Sequence, residues 1–422
     1  MRVCGLFIFQ FFFKSSQTNS QDGFTQIKSN ISLINFQQIL NYMPSFLPRL
    51  FIIGLVLYAL SCGIRNTDNF ASVVEAANED AVVLLENETS SLAINLFGGA
   101  FTDFHLKNKP INPLSWQVLP EKMPENNQNG APFRGHFLCL GRWGSPSEGE
   151  IAAGIPHNGE QSNTFWALKE NNNALSIKLY NEAPLDGLTV TREVHLSPES
   201  PVFKVVESFK NVNTLGRVSN VVQHPTLGPP FLSSSTRVFS NAGKGFLQKL
   251  SYPEPEKHAF DWPNIDVAEE NIQVDFSRSD HGFNGVATHI FNKEDTTGWI
   301  AAYSPDSQLM MGYVWDTREY PWLNVWHHEV DGEVKAKGLE FGTTGIGRPY
   351  KDLLMQDTRF FGHNSFEYID AGEQIVKSYY CFLVEVDNPQ SEVTNVALED
   401  GKLIVYTSDQ GQKKTVALNL PE

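Results

Sequence analysis

The stretch Leu188-Thr189-Val190-Thr191-Arg192-Glu193-Val194-His195-Leu196 alternates along its length, with Leu188, Val190, Val194 and Leu196 in step. Successive side chains of a strand point to opposite faces, so these four line one buried face. A short break leads into Pro201-Val202-Phe203-Lys204-Val205-Val206-Glu207-Ser208-Phe209, rich in β-branched and aromatic residues. Outward from this pair the pattern repeats. Ser91–Leu96, Ala174–Tyr180, Gly298–Tyr303, Leu309–Trp315 and Val376–Val386 read as strands, and Lys402–Tyr406 with Lys414–Leu418 as a closing hairpin. Turn-rich segments such as Asn181–Gly187 divide them. Helical periodicity is confined to the neighbourhood of Tyr350–Met355. No repeat of about 40 residues is visible, which excludes a propeller. The expected fold is all-β, one large antiparallel β-sandwich over residues 78–422.

Composition narrows the function. Among 422 residues, 32 Lys and Arg face 48 Asp and Glu, a formal charge of −16. A nucleic-acid binder needs a basic face to neutralise phosphates, so nucleic acid is excluded as a partner. The same balance weighs against a sugar-phosphate substrate. Aromatic residues make 12% of the chain, which fits an aromatic-lined cleft. Four cysteines give no disulfide framework, and no Cys-x-x-Cys pair exists for zinc or redox chemistry.

The run Leu50–Leu60 is continuous and apolar, follows Arg49, and ends in Ser61-Cys62-Gly63. It is too short for a membrane-spanning helix of about 20 residues and has the length of a signal-peptide core. The ending resembles a bacterial lipoprotein signal in which Cys62 becomes the acylated N-terminus; an ordinary cleaved secretory signal is the other reading. The expected organisation is a non-native or disordered extension over 1–42, a signal peptide over 43–61, a tether over 62–77, and then the sandwich. The expected location is the bacterial cell envelope, lipid-anchored at the membrane or periplasmic. Cys139 and Cys381, in apolar runs, read as buried free thiols, with a disulfide permissible outside the cytosol.

Three segments stand out as chemistry. In Gly154-Ile155-Pro156-His157-Asn158-Gly159 a histidine sits on a tight turn, from which its ring can project. In Val221-Val222-Gln223-His224-Pro225 a histidine ends an apolar strand. In Gly338-Leu339-Glu340-Phe341-Gly342 a carboxylate lies among apolar residues, where desolvation raises its pKa toward that of a general base near neutrality. Each histidine alone is more often structural than catalytic. Together the three make an acid/base set. His327-His328-Glu329 suggests a metal cluster, but adjacent strand side chains point to opposite faces, so no metal is expected there. No Gly-x-Ser-x-Gly elbow exists. Gly342–Gly347 lacks the Lys-Ser/Thr of a phosphate loop.

The order of these segments resembles the aldose 1-epimerase, or galactose mutarotase-like, superfamily. Phe97–Phe104 is similar to the family's opening Gly-pair turn, and His157-Asn158-Gly159 to the loop carrying its first active-site histidine. Thr191–Val194 and Glu207–Asn211 resemble the strands before the second histidine, which His224-Pro225 matches. Tyr320–Trp326 resembles the segment before the catalytic glutamate, which Leu339-Glu340 matches. The sequence departs from the pattern at Asn158, where Gly is common, and at Phe341-Gly342.

The resemblance implies a supersandwich fold and an isomerase that interconverts the α and β anomers of a sugar with no cofactor. It makes Glu340 the base at the anomeric hydroxyl, His224 the acid at the ring oxygen, and His157 the group that orients the sugar. It also implies a sugar-binding arginine and aspartate. Arg142 or Arg134 and Asp275 or Asp280 are the choices, with Arg142 and Asp275 preferred. Trp326 is the preferred aromatic platform, with Trp322 and Trp143 as others. The competing expectation is a non-catalytic envelope carbohydrate-binding lipoprotein. A lyase or hydrolase on the same fold, or an inert structural lipoprotein, also stays open.

Overall fold

The computed structural model describes residues 72–74, 81–248, 254–255, 257–267, 272–388 and 390–421. The expected extension, the signal peptide and Cys62 lie outside the described residues. Ser72–Val74, inside the segment expected as a tether, pair as an edge strand with Val82–Leu84.

The expected β-sandwich is present. A twelve-stranded sheet faces an eight-stranded one. The nine-residue alternation Leu188–Leu196 is a strand, and its burial alternates residue by residue. The small sheet runs in the order Arg237–Ser240, Thr297–Ser304, Leu309–Asp316, Gln374–Glu385, Val202–Asn211, Leu188–Leu196, Ser176–Ala183 and Ala167–Asn173. The centre of the large sheet runs His136–Gly141, Arg217–Leu227, Glu333–Gly342, Trp322–Val330 and Gly285–Phe291, all antiparallel. Val190, Val194, Phe203 and Val205 from the small sheet meet Leu138, Val221, Leu339 and Phe341 from the large one in the main core.

The C-terminal strands Glu392–Glu399, Lys402–Asp409 and Gln412–Asn419 form a third sheet. Val393, Val396, Leu403 and Val405 pack on Trp299, Tyr303, Met310 and Phe382 behind the small sheet. That cover explains why Gly298–Ser304 is buried at every position, because both faces of the strand are dry. The one expected helix forms at Tyr350–Met355. A second short helix, Glu148–Ala152, was not anticipated. Ser147 and Glu150 close a reciprocal capping box at its start.

A polar chain crosses the core beneath the central strands. Arg192 Nε lies 2.6 Å from Glu207 Oε1, and Gln223 Nε2 donates to Glu207 Oε2 at 2.5 Å. His136 Nε2 meets Gln223 Oε1 at 3.2 Å, and the Tyr313 hydroxyl meets His136 Nδ1 at 3.2 Å. The guanidinium of Arg192 also lies 4.3 Å from the Trp166 ring. Pairing of this kind offsets the cost of burying polar groups. Because Gln223 precedes His224, the chain ties the strand Arg217–Leu227 to the opposite sheet just below the candidate site.

Candidate active site

Strand register brings His224 and Glu340 together. Gln223 faces Phe341 and Thr226 faces Gly338 across the two antiparallel strands, so His224 faces Glu340. On its other side His224 faces Phe137, and Glu340 faces Asn324. Facing residues share a side of the sheet. These four therefore form one row on the face turned away from the small sheet, while Val221, Leu339 and Phe341 supply the core.

His224 Nε2 lies 3.3 Å from Glu340 Oε1. The other carboxyl oxygen, Oε2, accepts the Trp143 indole N–H at 2.8 Å. His224 Nδ1 meets the Thr226 hydroxyl at 3.0 Å, and its ring stacks on Phe137 with centroids 4.4 Å apart. Thr226 stands two residues along the same strand, so strand periodicity delivers it to the same face.

His157 reaches the row from a loop. Its Nδ1 meets the Ser145 hydroxyl at 3.2 Å, and its ring lies 6.0 Å from that of Phe133. The turn that carries it has two residues in the left-handed region, Asn158 at φ 64° and Gly159 at φ 84°. A Cβ on Gly159 would fall 2.0 Å from the Leu140 carbonyl oxygen, so no side chain fits. Asn158 Oδ1 accepts the Gly144 N–H at 2.7 Å, which joins the His157 turn to the loop bearing Trp143.

The three side chains line one cavity of about 420 Å³, within the range of small-molecule sites. Trp116, Phe133, Phe137, Trp143 and Trp326 give it aromatic walls; Ser145, Asn158 and Gln248 supply neutral polar groups, and Lys122 stands at the exposed edge. Trp116 and Trp326 meet edge to face at 5.8 Å. Such walls suit the C–H faces of a sugar ring, and the neutral polar groups suit its hydroxyls.

Burial governs the charges. It pushes Glu340 up to about 8, with the Trp143 hydrogen bond offsetting part of the rise. It pushes His224 down to about 3, with a smaller push from His157. It also lowers His157 to about 4, helped by the Arg142 guanidinium. At neutral pH the Glu340–His224 pair therefore holds one proton, and burial favours it on the carboxyl. The sequence reading starts the reaction with that proton on His224. The two forms differ by one hop across the 3.3 Å gap.

The remaining candidates divide. Trp326 lines the cavity. Arg142 does not; its buried guanidinium donates to the Ser145 carbonyl at 2.6 Å and to the Arg348 carbonyl, tying two loops behind the site. Asp275 is also elsewhere, where Oδ1 accepts from the Ser277 amide at 3.0 Å and hydroxyl at 2.6 Å. Asp280 pairs with Arg278. Arg134 is not among the cavity-lining residues. Trp322 is core, its N–H on the Asn364 carbonyl at 2.7 Å. His327 is buried and His328 half-buried on opposite faces of their strand. Cys139 and Cys381 are buried free thiols.

Sequence reasoning missed Asn127, Phe137, Thr226 and the Trp143–Glu340 bond. Thr226 was within reach, because it follows His224 at strand spacing. Asn127 and Trp143 carry no local signal of their destination.

No family model and no curated protein matches this chain. Solved structures do match its fold. A galactose mutarotase-like protein from Clostridium acetobutylicum aligns with a TM-score of 0.54 at 15% identity, covering 76% of this chain and 100% of its own. A galactose mutarotase related enzyme from Lactobacillus acidophilus aligns with a TM-score of 0.52 at 10% identity, covering 73% of this chain and 99% of its own.

Proposed function

The chain has the galactose mutarotase-like β-sandwich fold, and on that fold we propose that it binds a sugar and interconverts its anomers by Glu340/His224 acid–base catalysis. The observation that carries this reading is the pair itself: an acid and a base 3.3 Å apart, sharing one proton, in a cavity with aromatic walls.

The reaction starts once the shared proton has hopped to His224. The Glu340 carboxylate takes the proton of the anomeric hydroxyl while the His224 imidazolium gives its proton to the ring oxygen. The C1–O5 bond breaks and an open-chain aldehyde forms. The pair then stands with Glu340 protonated and His224 neutral, the form that burial favours at rest. Rotation about C1–C2 presents the other face, and the two transfers reverse to close the opposite anomer. Each placed proton transfer contributes a factor of about 10²–10⁴. His157, on its clamped turn, orients the sugar.

Two-dimensional NMR exchange between α and β anomers, run over common hexoses and pentoses, tests the proposal. The wild-type chain is expected to accelerate exchange for at least one sugar. Glu340→Gln is expected to bind that sugar and not to accelerate it. Full exchange by Glu340→Gln would refute the assignment.

A second reading, sugar binding without chemistry, draws support from Arg142 and Asp275 being engaged away from the cavity. Saturable binding with no exchange on any sugar selects it. For location we propose the bacterial envelope, supported by the apolar run Leu50–Leu60 ahead of Cys62. Incorporation of labelled palmitate that is lost in Cys62→Ala tests the lipid anchor.

A further inference from the structure

Three buried indole N–H groups donate to backbone oxygens, while that of buried Trp299 has no hydrogen-bond partner. Trp166 donates to the Gln161 carbonyl at 2.8 Å, Trp315 to the Tyr320 carbonyl at 2.9 Å, and Trp322 to the Asn364 carbonyl at 2.7 Å. A backbone oxygen satisfies the donor and adds no charge. Trp143 differs, because its N–H goes to an ionisable side chain, Oε2 of Glu340, at 2.8 Å. Both residues are buried, Trp143 at 5% exposure and Glu340 at 2%.

The geometry has a chemical consequence. An indole nitrogen only donates, so the oxygen it touches must accept in every protonation state. A protonated carboxyl oxygen keeps some acceptor capacity but accepts less well than the carbonyl oxygen. Any proton that Glu340 carries is therefore favoured on Oε1, the oxygen 3.3 Å from His224 Nε2.

The surroundings hold the indole in place. The Trp143 amide donates to Asn220 Oδ1 at 3.3 Å, and the next amide, that of Gly144, donates to Asn158 Oδ1 at 2.7 Å. Arg142, just before it, bonds the carbonyls of Ser145 and Arg348. The indole belongs to the apolar cluster of Phe133, Phe137 and Cys139. Arg142, which the family resemblance offered as a candidate sugar ligand, thus braces the loop that presents Trp143.

We propose that Trp143 is the positioning residue of the site: its N–H fixes the rotation of the Glu340 carboxyl and directs the transferred proton to the oxygen that faces His224. This rests on the anomer-exchange reading above and specifies how that site is controlled. Besides Trp143, the groups that face the carboxyl are His224 on the adjacent strand and the Cys139 thiol, which Glu340 helps to hold protonated. His157 acts on it through His224.

Two measurements on the full chain test the proposal, and only one needs activity. The first is a pH titration of the indole ¹⁵N–H resonances. The Trp143 signal, identified by its loss in Trp143→Phe, is expected to titrate as Glu340 ionises and to stop titrating in Glu340→Gln. A signal that ignores pH, or that titrates unchanged in Glu340→Gln, overturns the proposal. The second is the pH–rate profile of anomer exchange. Trp143→Phe keeps an aromatic ring and loses the donor together with part of the indole's volume, so its melting temperature is measured beside the rate. Its kcat is expected to fall roughly ten- to hundredfold with KM little changed. The alkaline limb is expected to move up by about one to two pH units, because the carboxylate has lost its donor. An unmoved limb, with rate and melting temperature falling together, overturns the proposal and leaves a packing role. If the wild-type chain exchanges no sugar, the functional reading fails by itself, and the titration still decides whether Trp143 governs the carboxyl.

Discussion

Asn127 pairs its side-chain amide with both backbone groups of His157, accepting the N–H at Oδ1 and donating Nδ2 to the carbonyl, each at 3.0 Å. The contact is a strand-like pairing made by one buried side chain, and it ties both backbone polar groups of a loop histidine. Asn127→Ala leaves a buried donor and acceptor without partners, at a cost of about 1–3 kcal/mol for each group left unsatisfied. We expect a lowered melting temperature and a fall in exchange rate exceeding the loss of sugar affinity. Asn127→Asp keeps the acceptor but buries an acid with an oxygen set against the His157 carbonyl, so at neutral pH its melting temperature should fall at least as far. Calorimetry and NMR exchange on the two variants test this, and a melting temperature equal to that of the wild type in either variant would count against the two-bond clamp.

The pH dependence of the site follows from its shared proton. Burial sets the limits of the one-proton pair at about 3, for His224, and about 8, for Glu340. Below the lower limit both groups are protonated; above the upper limit neither is. Exchange should therefore run on a broad plateau across neutral pH, fall on the alkaline side near 8, and fall on the acid side only near 3. A rate profile centred on an ordinary histidine, with an acid limb near 6.5, would show that His224 is not held neutral by its surroundings.

A second buried carboxyl predicts stability rather than rate. Asp186 Oδ1 accepts the Tyr350 hydroxyl at 3.2 Å, and Oδ2 is buried without a hydrogen-bond partner. Burial pushes its pKa up to about 7, with Glu160 adding to the rise. A carboxyl raised in the folded state contributes its full stability below the unfolded value, near 4. That contribution is lost as pH rises through about 7. Asp186→Asn removes the dependence. The melting temperature of the variant, measured against wild type, should improve between about pH 4 and pH 7 and level off above that, and a constant difference would place Asp186 in a wetter setting than the structure gives it.

These predictions draw unequally on the sequence. Alternation sets which face a residue takes, and it made the strand Leu188–Leu196 legible to the residue. His157, His224 and Glu340 were legible as residues too, through turn chemistry, a strand end and an apolar setting. Their meeting was not, because the register that sets His224 opposite Glu340 joins strands far apart in the chain. Arg142 shows the limit most clearly. The family resemblance offered it as a sugar ligand, yet carbonyls supplied by Ser145 and Arg348 take it, and only the closed fold brings Arg348 there. The helix Glu148–Ala152 was written in its Ser147-x-x-Glu150 box, but five residues are too few to show a helical period. The same holds for Asp275, whose bonds to Ser277 are the local turn that Asp-x-Ser spells.

The buried pair beneath the site supplies the last prediction. Arg192 and Glu207 are almost fully enclosed, at 1% and 0% side-chain exposure, with Nε and Oε1 2.6 Å apart. Glu207 Oε2 also holds Gln223, whose neighbour is His224. Removing one partner of such a pair leaves a buried charge alone and costs about 3–5 kcal/mol. Arg192→Met should therefore destabilise the chain by that order, measured by denaturant unfolding. Glu207→Gln strands the guanidinium and should do the same. The double variant Arg192→Met/Glu207→Gln buries no net charge at this position, so it should recover part of the loss. If the pair mattered only through packing, the two defects would add instead. In the double variant Gln223 loses its carboxylate anchor, so the register of Arg217–Leu227 is held less tightly below His224. Recovered stability with exchange still impaired would show that the pair holds the site in position rather than the sandwich together.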